Sequence, residues 1–203
     1  MRLFVAIDLS DAARRAIAAE QERLAEVLGP SSSLKWVRPD HMHLTLAFLG
    51  EIEETRAAAV IVAMGKNIDE AQPFAIAIAG FGVFPPHGAP RVLWVGLSTG
   101  AREAIELQRH VVDRLSRIGV TLEERAFHPH LTLARWRQAR PADRGRVAAA
   151  ERGFEVARVE VDAVTLYQSR LSSTGPTHTA VARAPLVRGA PSVRDVIVRN
   201  DRT

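Results

Sequence analysis

The chain has 203 residues, 47% of them hydrophobic, and a formal charge of +4, an ordinary globular composition with enough apolar material for one domain or two small lobes. No apolar run approaches membrane-spanning length, and the opening Met1-Arg2-Leu3-Phe4-Val5-Ala6-Ile7-Asp8 meets an acidic residue too early for a signal-peptide core, so a cytoplasmic protein with no membrane partner is expected. Cysteine is absent, which excludes disulfides and thiolate metal ligands and leaves His, Asp or Glu for any metal.

In chain order, Leu3 to Leu9 reads as a short apolar strand, and Ser10-Asp11 supplies an N-cap for a helix from about Ala12 to Leu28 that Gly29-Pro30 stops. Leu34 to Val37 is extended, Pro39-Asp40 turns, and His43 to Leu49 is a strand closed by Gly50. Glu53 to about Ile68 reads as a helix. Phe74 to Phe84 and Arg91 to Leu97 read as a hairpin, followed by a helix from about Ala101 to Ile118. His130 to Trp136 is a further strand, and Pro141 begins a shorter helix to about Arg152. Phe154 to Tyr167 and Thr177 to Leu186 are late strands joined by the polar stretch Ser169 to Pro176. Val187 to Thr203 is polar and Arg-rich and reads as a loosely attached tail.

One pattern occurs twice. His41-Met42-His43-Leu44-Thr45-Leu46 and His128-Pro129-His130-Leu131-Thr132-Leu133 both read H-x-H-L-T-L. In a strand, side chains two apart share a face, so His41, His43 and Thr45 line one surface while Leu44 and Leu46 enter a core. The second copy repeats this, with Pro129 placing His128 at the strand start. Helix, motif strand, helix and strand follow one another in both halves, which reads as an internal duplication that packs the two motif strands face to face across a cleft. Two imidazoles on opposite sides of a substrate supply a proton donor and a proton acceptor near neutral pH, which is what splitting a phosphodiester without metal requires. Catalysis is then expected to peak between two apparent pKa values around neutrality.

Metal chelation is the rival reading, since H-x-H on a strand suits zinc, manganese or iron. It needs further ligands, for which Asp40 and Glu51 lie near the first motif and Glu123 and Glu124 upstream of the second. A non-catalytic RNA-end or nucleotide-binding protein is another reading, although binding alone needs arginines more than two poised imidazoles. Lys35 and Lys66 are the only lysines, so arginine carries nearly all the positive charge; GC-rich coding explains this as well as phosphate binding does. His87, His110 and His178 have no repeated context and are expected at the surface. Trp36, Trp94, Trp136 and Tyr167 are candidates for core or cleft wall, with Trp136 beside Arg135 able to stack a base.

The paired His43-Leu44-Thr45-Leu46 and His130-Leu131-Thr132-Leu133, the Phe48-Leu49-Gly50 ending and the opening Arg2-Leu3-Phe4-Val5-Ala6-Ile7 resemble the two-histidine phosphoesterase superfamily, in its bacterial and archaeal RNA 2′,3′-cyclic phosphodiesterase (2′-5′ RNA ligase-like) branch. The resemblance covers roughly Met1 to Leu186 and implies one two-lobed α+β domain over 1–186, with antiparallel sheets and helices around a central cleft, followed by the 187–203 tail. It implies His43 as proton donor, His130 as the acceptor that activates water, Thr45 and Thr132 holding phosphate, and Phe48 and Arg135 near the substrate. The implied reaction hydrolyses RNA 2′,3′-cyclic phosphate ends to 2′-phosphomonoesters with no metal and no cofactor, in a monomer. Alternatives within the superfamily are 2′-5′ linked oligonucleotides, cyclic nucleotides, or ligation by reversal. Strand parity puts Phe48 and Arg135, each five residues after its histidine, on the opposite face unless each strand bulges or ends first.

Overall fold

Strands from the two halves of the chain interleave in two antiparallel sheets. The computed structural model describes residues 1–29, 33–122, 126–172 and 175–187. The strands are β1 (Arg2–Ile7), β2 (Leu34–Trp36), β3 (Leu44–Glu51), β4 (Phe74–Phe84), β5 (Val92–Thr99), β6 (Leu131–Trp136), β7 (Ala157–Val161), β8 (Ala163–Ser172) and β9 (Gly175–Pro185). The helices are α1 (Asp11–Leu28), α2 (Glu54–Met64), α3 (Ala101–Arg117) and α4 (Asp143–Ala150), with one 3-10 turn at Pro39–His41. This is the expected α+β class.

One sheet has the order β3-β1-β8-β9 and the other β2-β6-β5-β4-β7. Both contain in succession a motif strand, a helix-leading strand and a strand donated by the other half, β8 pairing with β1 and β4 with β5, while in the second sheet β2 is added outside β6. The lobes are not the two halves of the sequence. A single apolar cluster joins both sheets through Leu3, Val5 and Ile7 of β1, Leu44 and Leu46 of β3, Leu93 and Val95 of β5, and Leu131 and Leu133 of β6. Helix α3 packs on it through Ala104, Leu107, Val111 and Leu115, the spacing of one helical face.

Local chemistry fixes the ends of the elements. Ser10 Oγ accepts from the Ala13 amide at 3.2 Å and starts α1, a cap worth about 1 kcal/mol. Helix α2 stops at Met64 rather than near Ile68, because the chain turns at Gly65 and the Arg114 guanidinium takes the carbonyls of Ala63, Lys66 and Asn67. Helix α4 is likewise shorter than Pro141 to Arg152; past Ala150, Glu151 turns its carboxylate onto the amides of Phe81, Arg152 and Gly153. The expected strand Phe154 to Tyr167 is two strands, β7 and β8, divided at Asp162 where the chain passes from one sheet to the other. Within the polar stretch Ser169 to Pro176, the described residues are ladder rather than loop: Ser169 pairs with His178 and Ser172 with Gly175. An edge hairpin needs no apolar face, so polarity gave no sign of it.

Among the described residues no helix is long and apolar enough to cross a membrane. Of the expected tail, only Val187 is described; the remainder, like Glu123 and Glu124, lies outside the described residues.

Candidate active site

His43 immediately precedes β3 and stacks on Phe4 of the adjacent β1, ring centroids 4.7 Å apart. Phe4 in turn stacks on Tyr167 at 5.2 Å and meets Phe48 at 6.0 Å. His178 on β9 reaches the same group, 5.4 Å from His43, and its other face stacks on His41 at 5.2 Å. The second motif stands in a different setting: His130 meets the edge of Phe84 at 5.1 Å and of Trp94 at 6.1 Å. Trp94 lies flat across Gly82, where a Cβ would fall 2.0 Å from its ring, so only glycine lets the indole reach this place.

The two motifs share one backbone device. His130 Nδ1 donates to the His128 carbonyl at 2.7 Å, and the backbone of His41 likewise acts on the His43 ring, favouring its charged form. A carbonyl can only accept, so Nδ1 of neutral His130 carries the proton and its Nε2 lone pair is free. The first histidine of each H-x-H thus orients the second through its main chain.

Both strands also bulge at the same motif position. The register of β3 against β1 shifts between Thr45 and Ala47, and that of β6 against β5 between Thr132 and Ala134. In each, two consecutive residues are buried, Leu46-Ala47 and Leu133-Ala134, and the alternation resumes with its phase reversed. Phe48, 67% exposed, and Arg135 thereby return to the face of Thr45 and Thr132. The parity objection to both is removed. Neither threonine hydroxyl has a hydrogen-bond partner among the described residues, which leaves both free for substrate.

Helix α1 ties the motifs together. Gln21 Nε2 donates to the carbonyls of Leu133 at 2.9 Å and Val37 at 3.0 Å, and the Val37 amide donates to Leu133 at 2.8 Å. Seven residues earlier on the same face, Arg14 donates to the carbonyls of Met42 at 2.7 Å and Pro39 at 2.9 Å, just before His43.

The electrostatics favour neutral imidazoles. Burial pulls His43 down to about 4, aided by the neighbouring His178 and Arg14 and opposed by Asp8. Burial lowers His130 as well, with Arg135 and His128 adding to it and the His128 carbonyl opposing. Asp8 accepts from Thr165 Oγ1 and Tyr167 Oη, both at 2.6 Å. Burial and that bond hold the Tyr167 hydroxyl protonated beyond the usual phenol range.

The structure sets His43, Thr45 and Phe48 along one motif strand and His130, Thr132 and Arg135 along the other; strand parity alone had put Phe48 and Arg135 on the opposite face, and only the bulges return them. Sequence reasoning missed Asp8 and Arg14, read Tyr167 only as a candidate for core or cleft wall, and expected His178 at the surface, whereas that ring packs against His43 and His41. The alternation Thr177-His178-Thr179 was the one available sign of a strand presenting it. Trp136 is core, Trp94 a wall beside His130. Among the described residues no three His, Asp or Glu side chains gather in a metal-ligating cluster.

The comparisons match this duplicated plan. The model of the LigT like phosphoesterase family fits the chain twice in tandem, over residues 7–94 and 95–178, one motif in each. The RNA 2′,3′-cyclic phosphodiesterase of Aquifex aeolicus is 36% identical over 152 residues, covering 72% of this chain and 79% of that protein. The protein of the same name from Archaeoglobus fulgidus is 35% identical over 182 residues, covering 88% and 96%. The crystal structure of E. coli LigT complexed with 3′-AMP has a TM-score of 0.70 at 27% identity, covering 92% of this chain and 98% of that one. With both motifs inside tandem matches that span most of its length, the chain belongs to the LigT-like phosphoesterase family.

Proposed function

We infer that the protein hydrolyses RNA 2′,3′-cyclic phosphate ends to 2′-phosphomonoesters by metal-independent acid–base catalysis, as a cytoplasmic monomer. The observation that carries the reading is the matched pair of motifs, each setting a half-buried imidazole beside the main chain of the histidine two residues back, with an unpartnered threonine next to it. The relatives named as RNA 2′,3′-cyclic phosphodiesterases support the substrate.

In this reading the terminal cyclic phosphate lies between the two motif faces. His130 Nε2 takes a proton from water as the water oxygen bonds to phosphorus. The bond from phosphorus to O3′ breaks, and His43 protonates O3′ as it leaves. One water is consumed, and solvent exchange restores both imidazoles. Thr45 and Thr132 donate to the phosphoryl oxygens, where charge must be stabilised. Arg135 adds a cation beside them, and Phe48 an exposed ring for the nucleoside. The anionic phosphate opposes the burial that lowers His43 and raises its proton affinity when substrate is bound.

The test is incubation of EDTA-treated protein with RNA ending in a 2′,3′-cyclic phosphate, with the product read by phosphorus NMR. A 2′-phosphate formed without added metal is expected. Activity lost on chelation and restored by zinc or manganese would sink the mechanism and revive the chelate, while a 3′-phosphate would reverse the leaving group.

A further inference from the structure

Beyond Arg135 the second motif face runs into a groove of about 700 Å³ whose lining sets His87, Arg91, Arg135 and Arg137 among apolar residues such as Pro85 and Pro90. The bulge in β6 is what places it there: with the phase reversed, Arg135 and Arg137 are both exposed on the side of Thr132 while Trp136 between them is buried. Arg137 follows directly on the end of β6 at Trp136, five residues beyond Thr132. Lys35 of β2 pairs directly with Arg135 of β6. Two like charges opposite each other on a ladder repel, and an anion between them removes the penalty. Arg91 is tied to the site through its amide, which donates to the carbonyl of Phe84, the residue whose ring meets His130. Arg144 fixes the lip of the groove by donating to the carbonyls of Pro85 at 2.8 Å and Gly88 at 3.0 Å. Elsewhere Arg23, Arg38, Arg102, Arg114, Arg146, Arg158 and Arg183 are paired with carboxylates, while among the described residues Arg2, Arg15 and Arg109 have no such partner but are scattered outside the groove. Among the described residues Lys35, Arg91, Arg135 and Arg137 have no such partner either.

We propose that this groove seats the phosphodiester backbone of the RNA strand upstream of the reacting end, so that the protein acts on RNA chains in preference to free 2′,3′-cyclic mononucleotides. The inference rests on the reading of the reaction given above. A cyclic phosphate terminates its chain, so the polymer leaves the site only through the 5′ oxygen of the last nucleotide. Arginine forks along that path match successive phosphates.

The experiment measures kcat/KM on a 2′,3′-cyclic mononucleotide and on a hexaribonucleotide ending in the same group, for the wild type, Arg91→Gln, Arg137→Gln and the double variant. The wild type is expected to prefer the hexamer by about tenfold or more, with the preference falling as KCl rises. The double variant should lose most of that preference while turning over the mononucleotide within about twofold of wild type. Equal kcat/KM on both substrates, or equal losses on both in the variants, overturns the proposal. Fluorescence anisotropy with a labelled hexamer gives an independent reading: the variants should weaken binding by about fivefold each and flatten the log–log salt dependence by about 0.7 per lost phosphate contact. If neither substrate is turned over, the reaction assigned above fails, and the anisotropy alone decides the groove.

Discussion

The neighbouring histidines of each motif differ in what they contribute. His43 and His130 present rings, whereas His41 and His128 act on those rings through their main chains. His43→Ala and His130→Ala should therefore each lower kcat by at least about a hundredfold, the scale of lost acid or base catalysis, and His41→Ala and His128→Ala by far less. Comparable losses at all four positions, measured by steady-state kinetics, would point to metal ligation instead. The burial of both rings also moves the expected pH optimum. With His43 drawn down to about 4 and His130 below the ordinary imidazole range, the free enzyme holds both neutral at pH 7. The proton donor must be charged, so kcat/KM should peak on the acid side of neutrality rather than around it. The kcat profile, which reports the phosphate-bound complex, should lie at higher pH. The same depression has a stability consequence. The unfolded chain takes up a proton at this position below about pH 6.5 while the folded protein resists until about 4, so folding stability falls through that window as pH drops. His43→Asn has no such group, and by pH 4.5 it should have gained about 2 kcal/mol relative to wild type compared with pH 7, read from urea denaturation at the two pH values.

At the scale of elements, the bulges decide which side chains face the substrate in the proposed reaction, and the second is held from outside its own strand. The Leu133 carbonyl at the second bulge receives Gln21 of α1 and the amide of Val37. Gln21→Leu removes two hydrogen bonds to buried carbonyls and is expected to cost about 1–3 kcal/mol. Because Leu133 adjoins Thr132, KM for the cyclic phosphate should rise as well. A variant with unchanged melting temperature and KM would show that β6 keeps its bulge unaided. This dependence also explains what the sequence could not disclose. Helix α3 was legible because Ala104, Leu107, Val111 and Leu115 carry its periodicity locally, and the motif strands because His and Thr alternate with Leu. A bulge leaves no periodic trace in four consecutive residues such as Leu131 to Ala134; it appears only once the partner strand and the carbonyl donors are known. His178 was misjudged for the same reason, since its place beside His43 follows from β9 pairing with β8, β8 with β1 and β1 with β3, and the β8–β1 step joins opposite ends of the chain. Asp8 reads as the end of a strand until Thr165 and Tyr167 arrive from the far end of the chain.

For the whole molecule, duplication was visible in the repeated motif, but the exchange of strands between halves was not. Each half donates two strands to the other's sheet: β2 and β4 flank the pair β6-β5 beside His130, and β8 and β9 complete the sheet beside His43. Neither half can satisfy its ladder hydrogen bonds alone, and one apolar cluster runs through both sheets. Folding is therefore expected to be a single cooperative transition over 1–186 rather than two lobes unfolding in turn. The distribution of aromatic residues makes this measurable without labels. Trp36, Trp94 and Trp136 lie on β2, β5 and β6, all in the five-stranded sheet, so tryptophan fluorescence reports that sheet alone, while far-UV circular dichroism reports both sheets and the helices. Urea unfolding curves followed by the two signals should coincide in midpoint and slope. A fluorescence transition displaced from the dichroism transition would mean that the sheet bearing His130 unfolds on its own, and the site would then be an interface between two separately stable lobes.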